Sequence, residues 1–414
     1  DIWTCMQRQG SSLAFGGAFP LPAGTTVGDV AADLAYLMSR HDSLRTRLRI
    51  CPGGQVQQVV TAAGEIALQV IDPGDADPGE VAAAAYLGFE KMQFDYERDW
   101  PIVWAVVARG GVATHLVSAL CHLAADGMGA LALMDDLRRR AAGETGPVTA
   151  LRPLELAQRQ RAPAGRRANA AALAFWERTL RAVPARRFAG SDDWRAPRYW
   201  QAYYYSPASL LAAEAVAART GTGTSTVLLA AYAVMLTRLT AIDPAVIVVV
   251  VDNRFRRELA DVVSPMCGPT PCVIDVAGAD FDEVVRRAWR TSLHAYKLAY
   301  YNPLDREDVE RRVAAERGEA VDTGCYFNDR RMASREDGAR RAAPSAAGLR
   351  AALRRSELVE GFRRDQPNDR CFLSIDNVPD TICYELTVDT HYVSPADLEA
   401  CLRGLESVVV EAAL

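Results

Sequence analysis

The chain has 414 residues, of which 50% are hydrophobic and 24% are charged, and its formal net charge at pH 7 is −5. This length predicts two lobes rather than one small core, and the acidic balance argues against nucleic acid or an anionic membrane as a partner. The nine cysteines are odd in number and include no CxxC pair, so we expect neither a disulfide framework nor a metal site.

The first half of the chain alternates helix and strand patterns. TTVGDVAADLAYLMSRH (25–41) places its apolar residues on one helical face, with Thr26 as the cap and Asp29 in the first turn. WPIVWAVVARGGVATHLVSALCH (100–122) predicts two strands around a Gly-Gly turn, the second ending at about His122. MGALALMDDLRRR (128–140) then predicts another helix.

The segment 138–170 has no sustained period, and we interpret it as a crossover between an N-terminal lobe, 1–165, and a C-terminal lobe, 166–414. The second lobe also mixes both patterns, with a helical stretch at 225–240 and the β-branched run PAVIVVVVDNR at 244–254. We therefore expect an α/β fold with mixed sheets. Because 225–240 is too short to span a bilayer and no basic-then-apolar leader opens the chain, we expect a cytoplasmic protein.

A candidate site lies in SALCHLAADGMGAL, residues 118–131. Strand periodicity places Cys121 and His122 on opposite faces, so only one of them faces a common cleft. Asp126 could hold the loop that presents the imidazole. Gly127 can take a backbone geometry closed to other residues and leave N–H groups free at a helix start. The alternative is an ordinary structural histidine at a strand end.

Other candidate motifs are weaker. RTGTGTSTV (219–227) has glycines like a phosphate loop but lacks the Walker lysine, and the chain has no G-x-S-x-G elbow. A Cys121–His122 nucleophilic dyad is disfavoured because adjacent strand residues diverge. His41 in RHDSLRTRL is expected to be structural, and the remaining histidines have no motif around them.

Five segments, in this order, resemble the condensation domains of nonribosomal peptide synthetases, relatives of the chloramphenicol acetyltransferase-like acyltransferases. The segments are RHDSLRTRL (40–48), CHLAADG (121–127), FWERTL (175–180), TSTVLLAAYAVMLTRLT with the strand ending DNR (224–254), and MCGPTPCVIDV (266–276). The family motif is His-His-x-x-x-Asp-Gly. His122, Asp126 and Gly127 match it, whereas Cys121 stands where the family has its first histidine.

The resemblance implies two chloramphenicol acetyltransferase-like lobes in a V with a central tunnel, and it assigns the catalytic role to His122. It pairs Asp126 with an arginine at the end of a strand in the second half, which is Arg254 here, with Arg45 as the reserve candidate. Asn328 occupies a place where related domains have a polar residue facing the channel. The chain itself is expected to bind no cofactor, because phosphopantetheine arrives on donor and acceptor carrier proteins.

These observations lead to one hypothesis and its alternatives. The hypothesis is an acyltransferase that forms an amide between a carrier-bound acyl thioester and an amine, within or beside a peptide synthetase. The first alternative is a catalytically silent domain that recruits a tailoring enzyme or a carrier protein, consistent with the change at Cys121. The second is an ester-forming or freestanding acyltransferase.

Overall fold

The computed structural model describes residues 2–191, 193–331, 344–366 and 368–414. These residues form two units. The first contains the chain up to Gly165 together with Asp252–Cys267, and the second contains Arg166–Val251 and Gly268–Leu414. The expected division near residue 165 is a change of unit, but the expected lobe 166–414 is not continuous. Its segment 252–267 belongs to the first unit, where Val263 lies in the core and Arg254 binds Asp126.

The elements of the first unit follow in chain order. Its helices are α1 (Ile2–Gln9), α2 (Val27–Arg40), α3 (Pro78–Glu90), α4 (Gly127–Ala141) and α5 (Pro153–Arg161). Its strands are β1 (Phe15–Pro20), β2 (Thr46–Ile50), β3 (Val56–Val60), β4 (Leu68–Ile71), β5 (Ile102–Arg109) and β6 (Val112–Leu120). Short 3-10 turns occupy Asp42–Arg45 and Arg257–Leu259.

A four-stranded sheet in the order β1-β6-β5-β4 forms the centre of this unit. Alternating side chains of β5 and β6 separate its two faces, since Trp104 and Leu116 pack with α2 and α4, whereas Ala105 and Val117 pack with α3. The predicted cap of α2 is present, because the Thr26 hydroxyl accepts from the Asp29 N–H and the Asp29 carboxylate accepts in return. A separate hairpin pairs β2 with β3.

The second unit is built on a larger mixed sheet. Its helices are α6 (Pro163–Ala182), α7 (Pro207–Thr220), α8 (Thr224–Thr240), α9 (Phe281–Tyr296), α10 (Pro303–Arg317), α11 (Ala346–Leu353) and α12 (Pro395–Ala413). Its strands are β7 (Tyr199–Ser206), β8 (Ala245–Val251), β9 (Gly268–Ile274), β10 (Cys325–Asp329), β11 (Glu357–Arg364), β12 (Cys371–Val378) and β13 (Thr381–Asp389). The strand order is β11-β7-β13-β12-β10-β8-β9, with β10 parallel to both β8 and β12.

Helices cover this sheet on its two faces. One core contains α7, α8 and α12 against the sheet, and a smaller one joins Trp176 of α6 and Val313 of α10 to Val248 of β8. The central part of α8, 227–236, is apolar on every side and largely buried, as a helix enclosed by a core should be, and Arg238 near its end is exposed. The continuous β-branched run of β8 is likewise buried on both faces.

One expectation about secondary structure differs from the structure. The segment 138–170 contains α5 and the start of α6, each beginning at a proline. Their exposed arginine, glutamine and alanine residues show no apolar stripe, so periodicity did not reveal these two helices.

Across residues 2–191, 193–331, 344–366 and 368–414, no helix combines the length and apolarity needed to cross a membrane. Nor do the described side chains group as a metal site of three or more ligands.

Candidate active site

The motif loop connects β6 to α4. The strand ends at Leu120, two residues earlier than expected, so Cys121 and His122 lie at the start of the loop. Asp126 ends the loop and is the N-cap of α4, with its carboxylate accepting from the Gly129 N–H at 2.9 Å. A capped helix start of this kind fixes the loop at the end opposite to the strand.

The Asp126 carboxylate is enclosed by donors. Arg254 binds it with two nearly parallel hydrogen bonds, Nη2 to Oδ1 at 2.7 Å and Nη1 to Oδ2 at 2.9 Å. Oδ2 also accepts from the N–H groups of Met266 (2.8 Å) and Cys267 (3.2 Å), and from the Cys267 thiol (3.3 Å). All of these donors belong to the first unit.

These donors decide the charge of Asp126. Burial alone would raise the pKa of Asp126, but hydrogen bonds and charge from Arg254, together with the Gly129 and Met266 amides, lower it below its ordinary value. The same negative charge adds to burial in raising the pKa of the Cys267 thiol, which therefore stays protonated and donates. Asp126 is thus an ionised structural anchor, and no proton on it is exchanged near neutral pH.

The segment 252–267 is folded around this anchor. Arg254 Nη2 also donates to the carbonyls of Val262 (3.0 Å) and Ser264 (3.1 Å). The Asn253 backbone has a φ of 59°. The side-chain amide of Asn253 (Nδ2) donates to the Met266 carbonyl at 2.9 Å. The expected Asp126–Arg254 pair is present, but both residues belong to the first unit. The pair therefore attaches a segment from the second half of the sequence to the motif loop within one unit.

His122 is held as a neutral imidazole. Burial lowers the pKa of His122, and this effect is only partly opposed by the carbonyls of His122 and Ala125 and by the Asp126 charge. Its Nδ1 is shielded from solvent and has no hydrogen-bond partner of ordinary geometry in the described part of the chain. The ring packs against Phe15, with centroids 5.0 Å apart. A desolvated neutral imidazole is suited to accept a proton.

The Cys121 side chain packs in a hydrophobic core rather than beside a reacting group. It is 1% exposed and packs with Met6, Ala14 and Phe94. Its thiol donates weakly to the carbonyl of Ser12 at 3.8 Å, and the same carbonyl receives the His122 N–H at 3.5 Å. Burial raises the pKa of Cys121 to about 11, so a thiolate nucleophile is absent at neutral pH.

The reason for a glycine at position 127 differs from the one we expected. Gly127 is the first residue of α4, has no positive φ, and has no atom within 4 Å of the place where a Cβ would be. Backbone strain therefore does not require it. By contrast, a Cβ on Gly129 would lie 3.1 Å from the Ala125 Cβ and 3.4 Å from Asp126 Oδ1. Gly127 is exposed, and the open space beside it lies on the surface of the loop.

Two other expected site residues lie elsewhere. Arg45 does not bind Asp126, because it is paired with Asp42 at 2.6 Å and donates to the Met38 carbonyl at 2.7 Å. Arg45 therefore closes the turn after α2, and the reserve pairing was wrong. Asn328 is on β10 in the second unit, directly opposite Ser374 of β12.

Sequence reasoning missed three contributors to this site. Met266 and Cys267 supply donors to Asp126, whereas the sequence identifies their segment MCGPTPC only as a family pattern and predicts no contact for it. Ser12 is fully buried, and its hydroxyl bonds the Phe94 N–H and the Tyr96 hydroxyl, both at 2.9 Å. No pattern in the sequence singled out that serine.

Comparison with known proteins identifies the family. The family described as Condensation domain matches residues 23–325. The chain is 27% identical over 318 residues to the probable non-canonical nonribosomal peptide synthetase CymA of Salinispora arenicola (strain CNS-205), covering 71% of this chain but 4% of that protein. The chain thus spans a small fraction of this relative.

Solved structures show the same fold. A structure from work on condensation domain-mediated chain release from the enacyloxin polyketide synthase has a TM-score of 0.75 at 20% identity, covering 97% of this chain and 78% of the other. The starter condensation domain of rhizomide synthetase RzmA, in complex with C8-CoA, has a TM-score of 0.72 at 16% identity, covering 100% and 93%. The chain has the fold of these condensation domains. It belongs to the condensation-domain family.

Proposed function

We propose that this chain is an active condensation domain that transfers an acyl group from a carrier-bound thioester to an amine, with His122 as the base. The observation that carries the proposal is the state of His122, a desolvated and neutral imidazole on a loop fixed at both ends. The His122 ring is half-buried rather than enclosed in a core, and its Nδ1 has no partner of ordinary geometry among the described residues. Cys121, the residue that differs from the family motif, lies on the side of the loop that faces the core.

The chemistry required of His122 is modest. A thioester is already activated, and an amine with a pKa near ~8 is partly neutral at pH 7, so alignment of the two partners supplies much of the rate. His122 orients the amine, takes the proton that the amine loses as the amide bond forms, and returns it to the sulfur, which leaves as the thiol. With a hydroxyl acceptor the proton is held more tightly, and His122 would contribute more.

Asp126 acts as a positioning residue in this proposal. Its carboxylate is fully used by Arg254, Gly129, Met266 and Cys267, so it holds the loop rather than exchanging protons. Because the Gly129 N–H is bound to Asp126, the amide of exposed Gly127 is the candidate donor to the oxyanion of the tetrahedral intermediate. Arg254 fixes the carboxylate and does not touch substrate.

The partners follow from the family. Donor and acceptor carrier proteins would bring their substrates on phosphopantetheine arms, and Asn328 is a candidate for holding the acceptor. The chain would operate within or beside a synthetase, and adjoining synthetase domains or a tailoring enzyme are further partners. An ester-forming activity differs in the acceptor supplied to the same base, and a freestanding acyltransferase, using coenzyme A or a soluble acceptor, would need no second carrier site.

The test uses the chain with an acyl-loaded donor carrier and either a soluble amine or a loaded acceptor carrier, with product followed by mass spectrometry. We expect His122→Ala to lower condensation by about 10² or more, because general base catalysis contributes that much. The matched control is His294→Ala, which removes an exposed histidine of α9 and should keep the parent rate.

One feature favours a second candidate function, a silent platform that recruits a partner. Cys121 departs from the motif of the family, and a chain that has lost catalysis is free to vary there. The platform predicts no product from any carrier pair and a partner affinity that His122→Ala leaves unchanged. Product formation that depends on His122 would exclude it.

A further inference from the structure

The start of the motif loop is attached to Ser12, a residue far away in the sequence. The Ser12 carbonyl accepts from the His122 N–H at 3.5 Å, and the Cys121 thiol also donates to it at 3.8 Å. Two successive residues of the loop therefore converge on one backbone oxygen. Both contacts are long, so each is weak by itself, and their effect depends on how firmly Ser12 is held.

Ser12 is fully buried, and its hydroxyl makes every hydrogen bond available to it. It accepts from the Phe94 N–H at 2.9 Å, bonds the Tyr96 hydroxyl at 2.9 Å and donates to Gln93 Oε1 at 3.3 Å. A hydroxyl has one proton to donate and two lone pairs to accept, so all three bonds can form together when Tyr96 is a donor. The Ser12 side chain is therefore fixed to the segment 93–96.

The segment 93–96 is itself attached to two other parts of the first unit. The Tyr96 carbonyl accepts from the N–H of Leu48 on β2 at 2.8 Å. The Gln93 side-chain amide donates to the Gly10 carbonyl at 3.2 Å, just after α1. Support for the motif loop thus extends from β2 through 93–96 to Ser12.

The backbone is strained directly after Ser12. Leu13 has a φ of 46°, in the left-handed region that a leucine adopts only at a cost in energy. Its side chain packs against the same small core as Cys121. Such a conformation persists only where the surrounding contacts impose it, and the hydrogen bonds of the Ser12 hydroxyl are among those contacts.

The two ends of the motif loop are fixed in different ways. At its far end, the Asp126 carboxylate is bound by a guanidinium and by backbone amides. At its near end, the Cys121 N–H bonds the Pro101 carbonyl at 2.9 Å, and the next N–H, that of His122, bonds Ser12. A thiol is a weak donor, so the Cys121 side chain adds little to this attachment. The near end therefore depends on the position of the Ser12 carbonyl.

We propose that Ser12 is a positioning residue for His122. Its hydroxyl is held by 93–96, and its carbonyl in turn sets the start of the loop that carries the imidazole. Ser12 does not touch substrate and acts through the backbone of His122. The inference rests on the proposed function, in which His122 is the base. Because a displacement of about 1 Å in a reacting group can cost about 10² in rate, loss of this support should appear in kcat.

The kinetic test compares three variants of the full chain in the carrier-based condensation assay. Ser12→Ala should lower kcat by about tenfold or more while KM changes by less than about twofold. Tyr96→Phe removes one of the three bonds to the Ser12 hydroxyl and should lower kcat by a smaller factor. The matched control is Ser206→Ala in the second unit, because that serine is also fully buried and its hydroxyl also accepts from a backbone N–H at 2.9 Å. It should lower the melting temperature but keep the parent kcat.

A second measurement reads the position of the ring without any product. Carbon-13 imidazole signals give the midpoint at which His122 titrates in each variant. In the parent, burial holds the pKa of His122 below its ordinary value of 6.5. A ring released from its packing against Phe15 is better solvated, so Ser12→Ala should raise the midpoint toward 6.5. Ser206→Ala should leave the midpoint unchanged.

The two measurements separate failure of this inference from failure of the proposed function. A parent-like midpoint in folded Ser12→Ala would overturn the positioning role, as would equal changes in Ser12→Ala and Ser206→Ala. A raised midpoint with a parent-like kcat would instead support the positioning role and contradict His122 as the base. Thermal unfolding shows which variants fold. If Ser12→Ala does not fold, Tyr96→Phe decides, and a parent-like midpoint in that variant would overturn the inference.

Discussion

Asp126 and Arg254 form a bidentate ion pair in which both side chains are almost fully buried, at 2% and 3% exposure. Removing two charges from water is unfavourable unless their remaining donors and acceptors are satisfied. The amides of Gly129 and Met266 also donate to the carboxylate, and the carbonyls of Val262 and Ser264 accept from Nη2 of the guanidinium, whereas its Nε has no partner among the described residues. The pair therefore defines one arrangement of the loop relative to 252–267.

Asp126→Asn should destabilise the fold strongly. The amide keeps the size of the carboxylate but leaves the Arg254 charge buried without its counterion, and breaking such a pair costs about 3–5 kcal/mol. Urea unfolding monitored by circular dichroism measures the change. A loss below about 1 kcal/mol would mean that the site is more hydrated than its geometry indicates.

An exposed pair provides the control for that measurement. Arg139 and Asp135 lie one helical turn apart on α4 and are about half exposed. Asp135→Asn should change the free energy of unfolding by less than about 1 kcal/mol, because exposed pairs are weak. The difference between the two variants separates the buried anchor from a general effect of lost charge.

The elements that periodicity predicted are those with an apolar stripe or a continuous β-branched run. The helix α2 and the strand β8 are examples, since their burial patterns follow directly from their sequences. The helix α5 was missed because a largely exposed helix has no such stripe. The membership of 252–267 in the first unit could not be read from local pattern, because contacts between residues distant in the sequence decide it.

Only part of the candidate site could likewise be predicted from the sequence. The family resemblance predicts the Asp126–Arg254 contact, whereas only the structure shows the donors Met266 and Cys267 and the role of Ser12. Every residue except proline has a backbone N–H, so a sequence pattern does not show which of these groups binds a carboxylate. The interpretation of Gly127 was wrong because a glycine at a helix start can reflect space needed outside the chain rather than a special φ.

Gly127→Ala and Gly129→Ala should have opposite effects on stability. An alanine at 127 meets no atom and improves helix propensity, so the fold should gain about 0.5–1 kcal/mol or stay unchanged. An alanine at 129 presses on Ala125 and Asp126 and should destabilise. Thermal unfolding compares the two, and equal destabilisation would contradict the open space seen at Gly127.

The activity of Gly127→Ala then tests the oxyanion proposal. If substrate approaches the Gly127 amide closely, the methyl group lowers kcat/KM by about tenfold or more although the fold is no less stable. An unchanged kcat/KM would remove this amide from the mechanism. The parent chain, assayed with the same carrier pair, is the reference.

Cys121 should resist alkylation in the folded chain. Its thiol is buried and its pKa is raised to about 11, so the reactive thiolate is scarce at pH 7.5. Iodoacetamide should label the partly exposed Cys51 first and should label Cys121 only after unfolding in urea, as peptide mass spectrometry would show. Rapid labelling of Cys121 that abolishes activity in a folded chain would instead support a nucleophile.

His122 should titrate below the ordinary histidine value of 6.5. Burial is the largest influence on its pKa and disfavours the imidazolium, while the carbonyls of His122 and Ala125 and the Asp126 carboxylate oppose it only in part. The ring therefore stays neutral, and competent as a base, as pH falls past 6.5, and it gains its proton only at a lower pH. Because the unfolded chain binds that proton more tightly than the folded chain, this group makes stability decline as pH falls from 6.5 toward the folded pKa. Carbon-13 imidazole signals followed by NMR, assigned with His122→Ala and referenced to the chain in urea, measure the midpoint directly. A midpoint at or above 6.5 would mean that the ring is better solvated than its packing against Phe15 indicates, and would weaken its assignment as the base.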